Sequence, residues 1–86
     1  MIVVGEKSPG SYAVDVLSRF RSGAKVVVLR AYGRNISKAA YVAESVRRMT
    51  GGKASYGRIA LWSEEVGEEA EEKHVPVMEI EVRYEG

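Results

Sequence analysis

The chain has 86 residues, of which 45% are hydrophobic and 29% charged, with a formal net charge of +1. That is room for one hydrophobic core spanning residues 1–86, in a chain too apolar to be disordered. No apolar run nears the roughly 18–20 residues of a membrane span, and the N-terminus lacks a basic-then-apolar leader pattern. With no cysteine and only His74, disulfides, thiolate zinc sites and two-histidine metal sites are excluded, so no metal or cofactor is expected.

Ile2-Val3-Val4 is an apolar run ended by Gly5, which predicts a short strand. Pro9-Gly10-Ser11 supplies turn chemistry and a helix entry with Ser11 as N-cap. Val14, Leu17 and Phe20 follow at helical spacing, and Gly23 stands where a left-handed residue would end that helix. Val26-Val27-Val28-Leu29 reads as a buried strand. Gly33-Arg34-Asn35 turns the chain, with Asn35 as the next N-cap. Ile36, Ala39, Ala43 and Val46 recur at steps of three and four until Gly51-Gly52 stops the second helix. A third strand begins near Tyr56 and contains Ile59-Ala60-Leu61-Trp62. From Val77 to Tyr84, Met78, Ile80, Val82 and Tyr84 alternate with Glu79, Glu81 and Arg83, the pattern of a half-buried antiparallel strand. The Glu-rich stretch from Ser63 to Pro76 reads equally as strand ends around a long hairpin loop or as a short acidic helix. The order is β-α-β-α-β-β, an α+β two-layer sandwich with both helices on one face of the sheet.

The net charge conceals a division. Residues 1–58 hold eleven Lys and Arg against Glu6, Asp15 and Glu44, a balance of +8. Residues 59–86 hold Lys73 and Arg83 against nine Glu, a balance of −7. The first part therefore suits a polyanion, and the second a cationic partner.

A right-handed β-α-β unit makes its two strands parallel, so both helices start at one sheet edge, where unpaired N–H groups and helix dipoles favour anions. The first turn brings Lys7, Ser8, Gly10 and Ser11 to that edge. The second brings Tyr32, Gly33, Arg34, Asn35, Ser37 and Lys38, with Arg30 joining if its side chain faces the same way; Tyr32 is a candidate for stacking on a base or sugar. Enzyme chemistry lacks its motifs: Gly52-Lys53 is followed by Ala54 rather than Ser or Thr, and neither GxGxxG nor GxSxG occurs.

The run Arg30-Ala31-Tyr32-Gly33-Arg34-Asn35-Ile36-Ser37-Lys38-Ala39 resembles the signature [KR]-A-x-G-R-x-I-S-K-A of the Alba family of archaeal chromatin proteins. Val3-Val4-Gly5-x-Lys7 followed by Tyr12, and Leu17-x-x-Phe20-x-x-Gly23, extend the likeness over roughly residues 1–50. The resemblance implies the Alba fold, similar to the C-terminal domain of a bacterial translation initiation factor. It also implies a dimer that binds double-stranded DNA or RNA with little sequence preference, in association with the nucleoid; the missing catalytic motifs independently predict no enzyme, and the lack of cysteine a cytoplasmic chain. Family nucleic-acid contacts carry over to Lys7, Arg34 and Lys38, with Asn35 and Ser37 as neighbours. Four positions depart from the pattern. Glu6 stands where the family often has a lysine that is its described acetylation target, Tyr32 where it often has Arg, and Met49-Thr50 where it has an aromatic residue. The hairpin arm, usually basic, is Glu-rich here, with Lys73 its sole cation. An acidic arm favours RNA, a single strand, or pairing with a more basic homologous subunit, so the expected assembly is a homodimer or a heterodimer with a basic homologue. The alternative is a protein-interaction subunit of a ribonucleoprotein such as ribonuclease P, docking a basic protein through that arm.

Overall fold

The computed structural model describes residues 1–66 and 73–86. Strand β1 is Ile2–Val4, helix α1 Pro9–Arg21, strand β2 Val26–Tyr32, helix α2 Ile36–Met49, strand β3 Ala54–Val66 and strand β4 Lys73–Tyr84, with a 3-10 turn over Gly33–Asn35 before α2. The four strands form one sheet in the order β1-β2-β4-β3, and β1 and β2 are parallel. The expected α+β architecture and element order are therefore those observed.

Glycine ends both helices, as the sequence predicts. Gly23 has φ +109°, and Gly51 and Gly52 have φ +64° and +86°, a region that side chains with a Cβ avoid. The first helix starts earlier than expected. Its N-cap is Ser8, not Ser11, and the Ser8 hydroxyl accepts from the Ser11 amide. Pro9 explains the difference: at N1 its fixed φ already suits a helix, and its missing N–H would be unpaired there anyway. Asn35 precedes α2 as expected but makes no capping bond through its side chain. It already sits in helical geometry at the end of the 3-10 turn, where the extended backbone of a side-chain cap is not available.

The core lies between the helices and one sheet face. Val16 of α1, Val42 and Val46 of α2, Leu29 of β2 and Val82 of β4 are fully buried there, and Tyr84 closes one end by stacking on Phe20 at 4.9 Å. Along β4, Ile80 and Val82 are buried toward the helices, with Met78 and Tyr84 packed at the margin, so the expected alternation holds. Val77, on the opposite face, is also fully buried, in a place between Tyr32 and Trp62 set by the pairing of all three strands.

The Ser63–Pro76 segment is strand wherever it is described. Ser63 pairs with Pro76, Glu64 with Val75, Glu65 with His74 and Val66 with Lys73. Glu68, Glu69, Glu71 and Glu72, at the centre of the expected hairpin loop or acidic helix, lie outside the described residues. Proline is tolerated at position 76 because the β2 ladder ends at the Tyr32–Val77 pair, so β4 has only β3 beside it there. Near the other end of β3 a bulge between Tyr56 and Ile59 shifts the register. It turns the Arg58 amide onto the Glu81 carboxylate at 2.9 Å.

Candidate nucleic-acid interface

Because β1 and β2 run parallel as neighbours, the turns leaving them emerge side by side at one sheet edge. Long-range bonds then join the two turns. Lys38, in the first turn of α2, donates through Nζ to the carbonyl oxygens of Gly5 at 2.6 Å and Lys7 at 3.0 Å. Arg34 donates to both carboxylate oxygens of Glu6, at 3.2 and 3.3 Å.

The first turn is held from below by Tyr12, which is only 7% exposed on α1. Its hydroxyl accepts from the Gly5 amide at 2.8 Å and the Lys7 amide at 3.2 Å. A two-residue apolar step along α1 brings Tyr12 and Ala13 into the core together, so the phenol ring is anchored while its oxygen reaches the loop. Ser8 and Ser11 face each other, with their hydroxyls 3.0 Å apart. In the second turn Gly33 has φ +54°, which lets the chain leave β2 and tighten at once into the 3-10 turn. Arg34 and Ser37 are exposed, and Asn35 is partly so.

Lys7, Ser8, Ser11, Gly33, Arg34, Asn35, Ser37 and Lys38 therefore collect at this edge. Lys7 is exposed and makes no ion pair among the described residues. Two helix N-termini, each with the positive end of its dipole, open beside three cations and a single carboxylate, Glu6. Such a surface is electropositive, with N–H groups and cations that suit an anion.

Arg30 and Tyr32 stand apart from this group. Leu29 and Ala31 point into the core with no exposure, so strand alternation sends Arg30 and Tyr32 to the sheet face away from the helices. There Arg30 donates to Glu79 at 2.6 Å and to the Tyr32 hydroxyl at 3.3 Å, and its guanidinium lies 5.6 Å from the centre of the Trp62 ring. The hydrogen bonds it donates, to Tyr32 first and to Glu79 second, hold the guanidinium charged beyond its usual range. Trp62 in turn donates to Glu64 at 3.1 Å.

Three members of these networks carry no role in the sequence reading: Tyr12 beneath the first turn, Glu6 opposite Arg34, and Trp62 beside Arg30. A basic turn next to a lone Glu was the available signal for Glu6. The other two depend on contacts across the fold. Among the described residues no three His, Asp or Glu side chains are grouped to hold a metal ion, and no helix is long and apolar enough to cross a membrane.

Comparison with known proteins identifies the family. The Alba family profile matches residues 1–61, from β1 into β3. A curated "DNA/RNA-binding protein Alba" from Nanoarchaeum equitans is 40% identical over 83 residues, covering 95% of this chain and 92% of that protein. Another of that name, from Pyrobaculum islandicum, is 40% identical over 81 residues, covering 92% of this chain and 88% of its own. The solved structure of Alba from Thermoplasma volcanium superposes with a TM-score of 0.87 at 33% identity, covering 95% of this chain and 96% of that one. A family profile over most of the chain, relatives at this identity along nearly their whole length, and the same β-α-β-α-β-β sandwich place the chain in the Alba family.

Proposed function

We propose that this chain is a sequence-tolerant, non-enzymatic nucleic-acid-binding protein that seats sugar–phosphate backbone at the edge where α1 and α2 begin. The observation that carries this reading is the joining of two cationic turns, with Lys7 and Arg34 exposed at the rim and Lys38 bonded across from α2. Curated relatives bear the name DNA/RNA-binding protein, which supports the same ligand class. Contacts of this kind fix position on a backbone without reading bases. Neither helix presents a row of Arg, Asn or Gln suited to a major groove.

The protein acts as a dimer. Ile59 and Leu61 on β3 are 55% and 70% exposed, beside an apolar groove between Met78 and Ala40 of α2. Apolar side chains this exposed and this close together mark an association surface, and a second copy covering them doubles the cationic row. The nucleoid is the matching location for a protein that coats duplex DNA.

The β3–β4 arm favours a second reading of the ligand. Its described part presents Glu64 and Glu65 with Lys73 as its one cation. Such an arm repels a duplex groove, and so favours structured RNA, or pairing with a basic homologue that supplies a cationic arm.

Filter binding of duplex DNA and structured RNA of equal length, across a salt series, tests both readings. With about four to eight phosphates neutralised per dimer, the slope of log affinity against log salt on duplex is roughly −4 to −7. A slope near zero removes the phosphate-seating mechanism. Tighter retention of RNA, or duplex binding only after a basic homologue is added, selects the second ligand reading.

A further inference from the structure

Three residues, Gly5 to Lys7, carry the loop that presents Lys7, and no strand or helix holds them. Two side chains take that part instead. The amides of Gly5 and Lys7 both donate to the Tyr12 hydroxyl, while their carbonyls both accept from Lys38 Nζ. All four backbone polar groups on either side of Glu6 are thus matched by one phenol from α1 and one ammonium from α2.

We infer that Lys38 is a positioning residue: it clamps the first turn onto α2, aims Lys7 at the phosphate, and holds Glu6 within reach of Arg34, rather than serving chiefly as a phosphate ligand itself. An ammonium has three hydrogens, and the clamp uses two of them. Those two bonds also fix the direction of the side chain, so the tip of Lys38 lies over the loop backbone, with Lys7 and Arg34 above it at the solvent rim. A charge-assisted bond to a carbonyl is among the stronger hydrogen bonds, and here two of them close across 31 and 33 residues of sequence. The loop that samples many directions when free is left with one. This inference rests on the proposed phosphate-binding role of the edge, and it assigns the second turn a structural duty toward the first.

The test uses the full chain and the variant Lys38→Met, which keeps the apolar stem and removes the ammonium. In the free protein, amide hydrogen exchange at Gly5 and Lys7 accelerates in Lys38→Met, with the α2 amides unchanged. A double-mutant cycle with a short duplex follows, in the wild-type and Lys7→Ala backgrounds. For groups acting through one another, the loss from Lys38→Met is smaller in the Lys7→Ala background by about threefold or more. Additive losses, with the salt slope falling by about 0.9 for each Lys38 removed, overturn the inference and make Lys38 an ordinary phosphate ligand. Unchanged Gly5 and Lys7 exchange overturns it as well.

If Lys38→Met does not fold, as judged from Trp62 emission, the wild-type protein still decides. Couplings across the hydrogen bonds, from Lys38 15Nζ to the Gly5 and Lys7 carbonyl carbons, persist when duplex is bound. Their replacement by a coupling to phosphorus overturns the clamp. Should wild-type protein fail to bind duplex or RNA at low salt, the proposed function falls, while the exchange measurement in the free protein judges the clamp separately.

Discussion

Replacing Glu6 by Gln isolates the one carboxylate set against the cationic edge. Arg34 spends its Nη2 group on both Glu6 oxygens at 3.2 and 3.3 Å, so an incoming phosphate must displace that carboxylate and then lie beside it. The side chains of Arg34 and Glu6 are 82% and 75% exposed, which limits the effect. Two unit charges about 4 Å apart in water interact by about 1 kcal/mol, and exposed pairs measure about 0.2–1 kcal/mol. Taking about 0.5–1 kcal/mol per chain, Glu6→Gln tightens binding about two- to fivefold for one chain and about five- to thirtyfold for a dimer engaging both edges. The gain shrinks with salt as the Debye length falls from about 30 Å at 0.01 M to about 10 Å at 0.1 M. Anisotropy of a labelled duplex, titrated at several ionic strengths, reads both quantities. The melting temperature serves as the control: it moves by less than about 4–8 °C, because loss of an exposed pair costs under about 1 kcal/mol. Unchanged or weaker binding at low salt, with folding intact, refutes the idea that Glu6 competes with phosphate for Arg34.

Arg34→Ala weakens binding similarly on unrelated sequences and reduces the salt slope by about 0.9 per chain; a loss confined to one sequence would indicate base readout instead. Leu61→Glu leaves the fold within about 0.5 kcal/mol of wild type but converts the dimer to monomer in sedimentation, and a dimer that survives the change moves the interface elsewhere. Leu29→Ala, at a side chain with no exposure, costs about 2–5 kcal/mol and lowers the melting temperature by about 10 °C or more; a drop of only a degree or two would mean that the core had relaxed into the cavity. The Glu44 carboxyl is pulled from 4.5 down to about 2, chiefly by its bonds to Arg47 and then by the Tyr56 hydroxyl. A carboxylate with a depressed folded-state pKa stabilises above its unfolded value and loses that contribution as pH falls through the folded one. The difference in urea midpoint between wild type and Glu44→Gln is therefore full above about pH 5 and shrinks steadily as pH falls toward about 2, and a gap of the same size at pH 5 and pH 2 rules out the ionised carboxylate as its source.

Much of the molecule is legible along the chain because its signals are local. Gly23 and Gly51-Gly52 end the helices where they stand, since only the left-handed region lets the backbone turn there at once. The alternation from Met78 to Tyr84 assigns the faces of β4 because successive strand residues point oppositely. Parallel pairing of β1 and β2 follows from the handedness of the crossover, and it is enough to bring Lys7 and Arg34 to one edge. The start of α1 escaped by three residues: Ser8 and Ser11 are equal as cap residues by type, and Pro9 decides between them.

What charge alone conceals is which cations are already engaged. Arg30, Arg34 and Lys38 are equivalent when counted in sequence, yet their partners lie 49, 28 and 31–33 residues away. Strand parity turns Arg30 to the far face of the sheet, packing of α1 against α2 sets Lys38 over the first turn, and the adjacency of the two turns gives Arg34 a carboxylate to compete with. Sequence by itself determined the elements, their order and the edge at which positive charge gathers, because those depend on neighbours along the chain. Only the tertiary structure decided which of those charges faces solvent, which is paired and which acts as a clamp, because hydrogen bonds of a few ångströms form between residues that the chain keeps far apart.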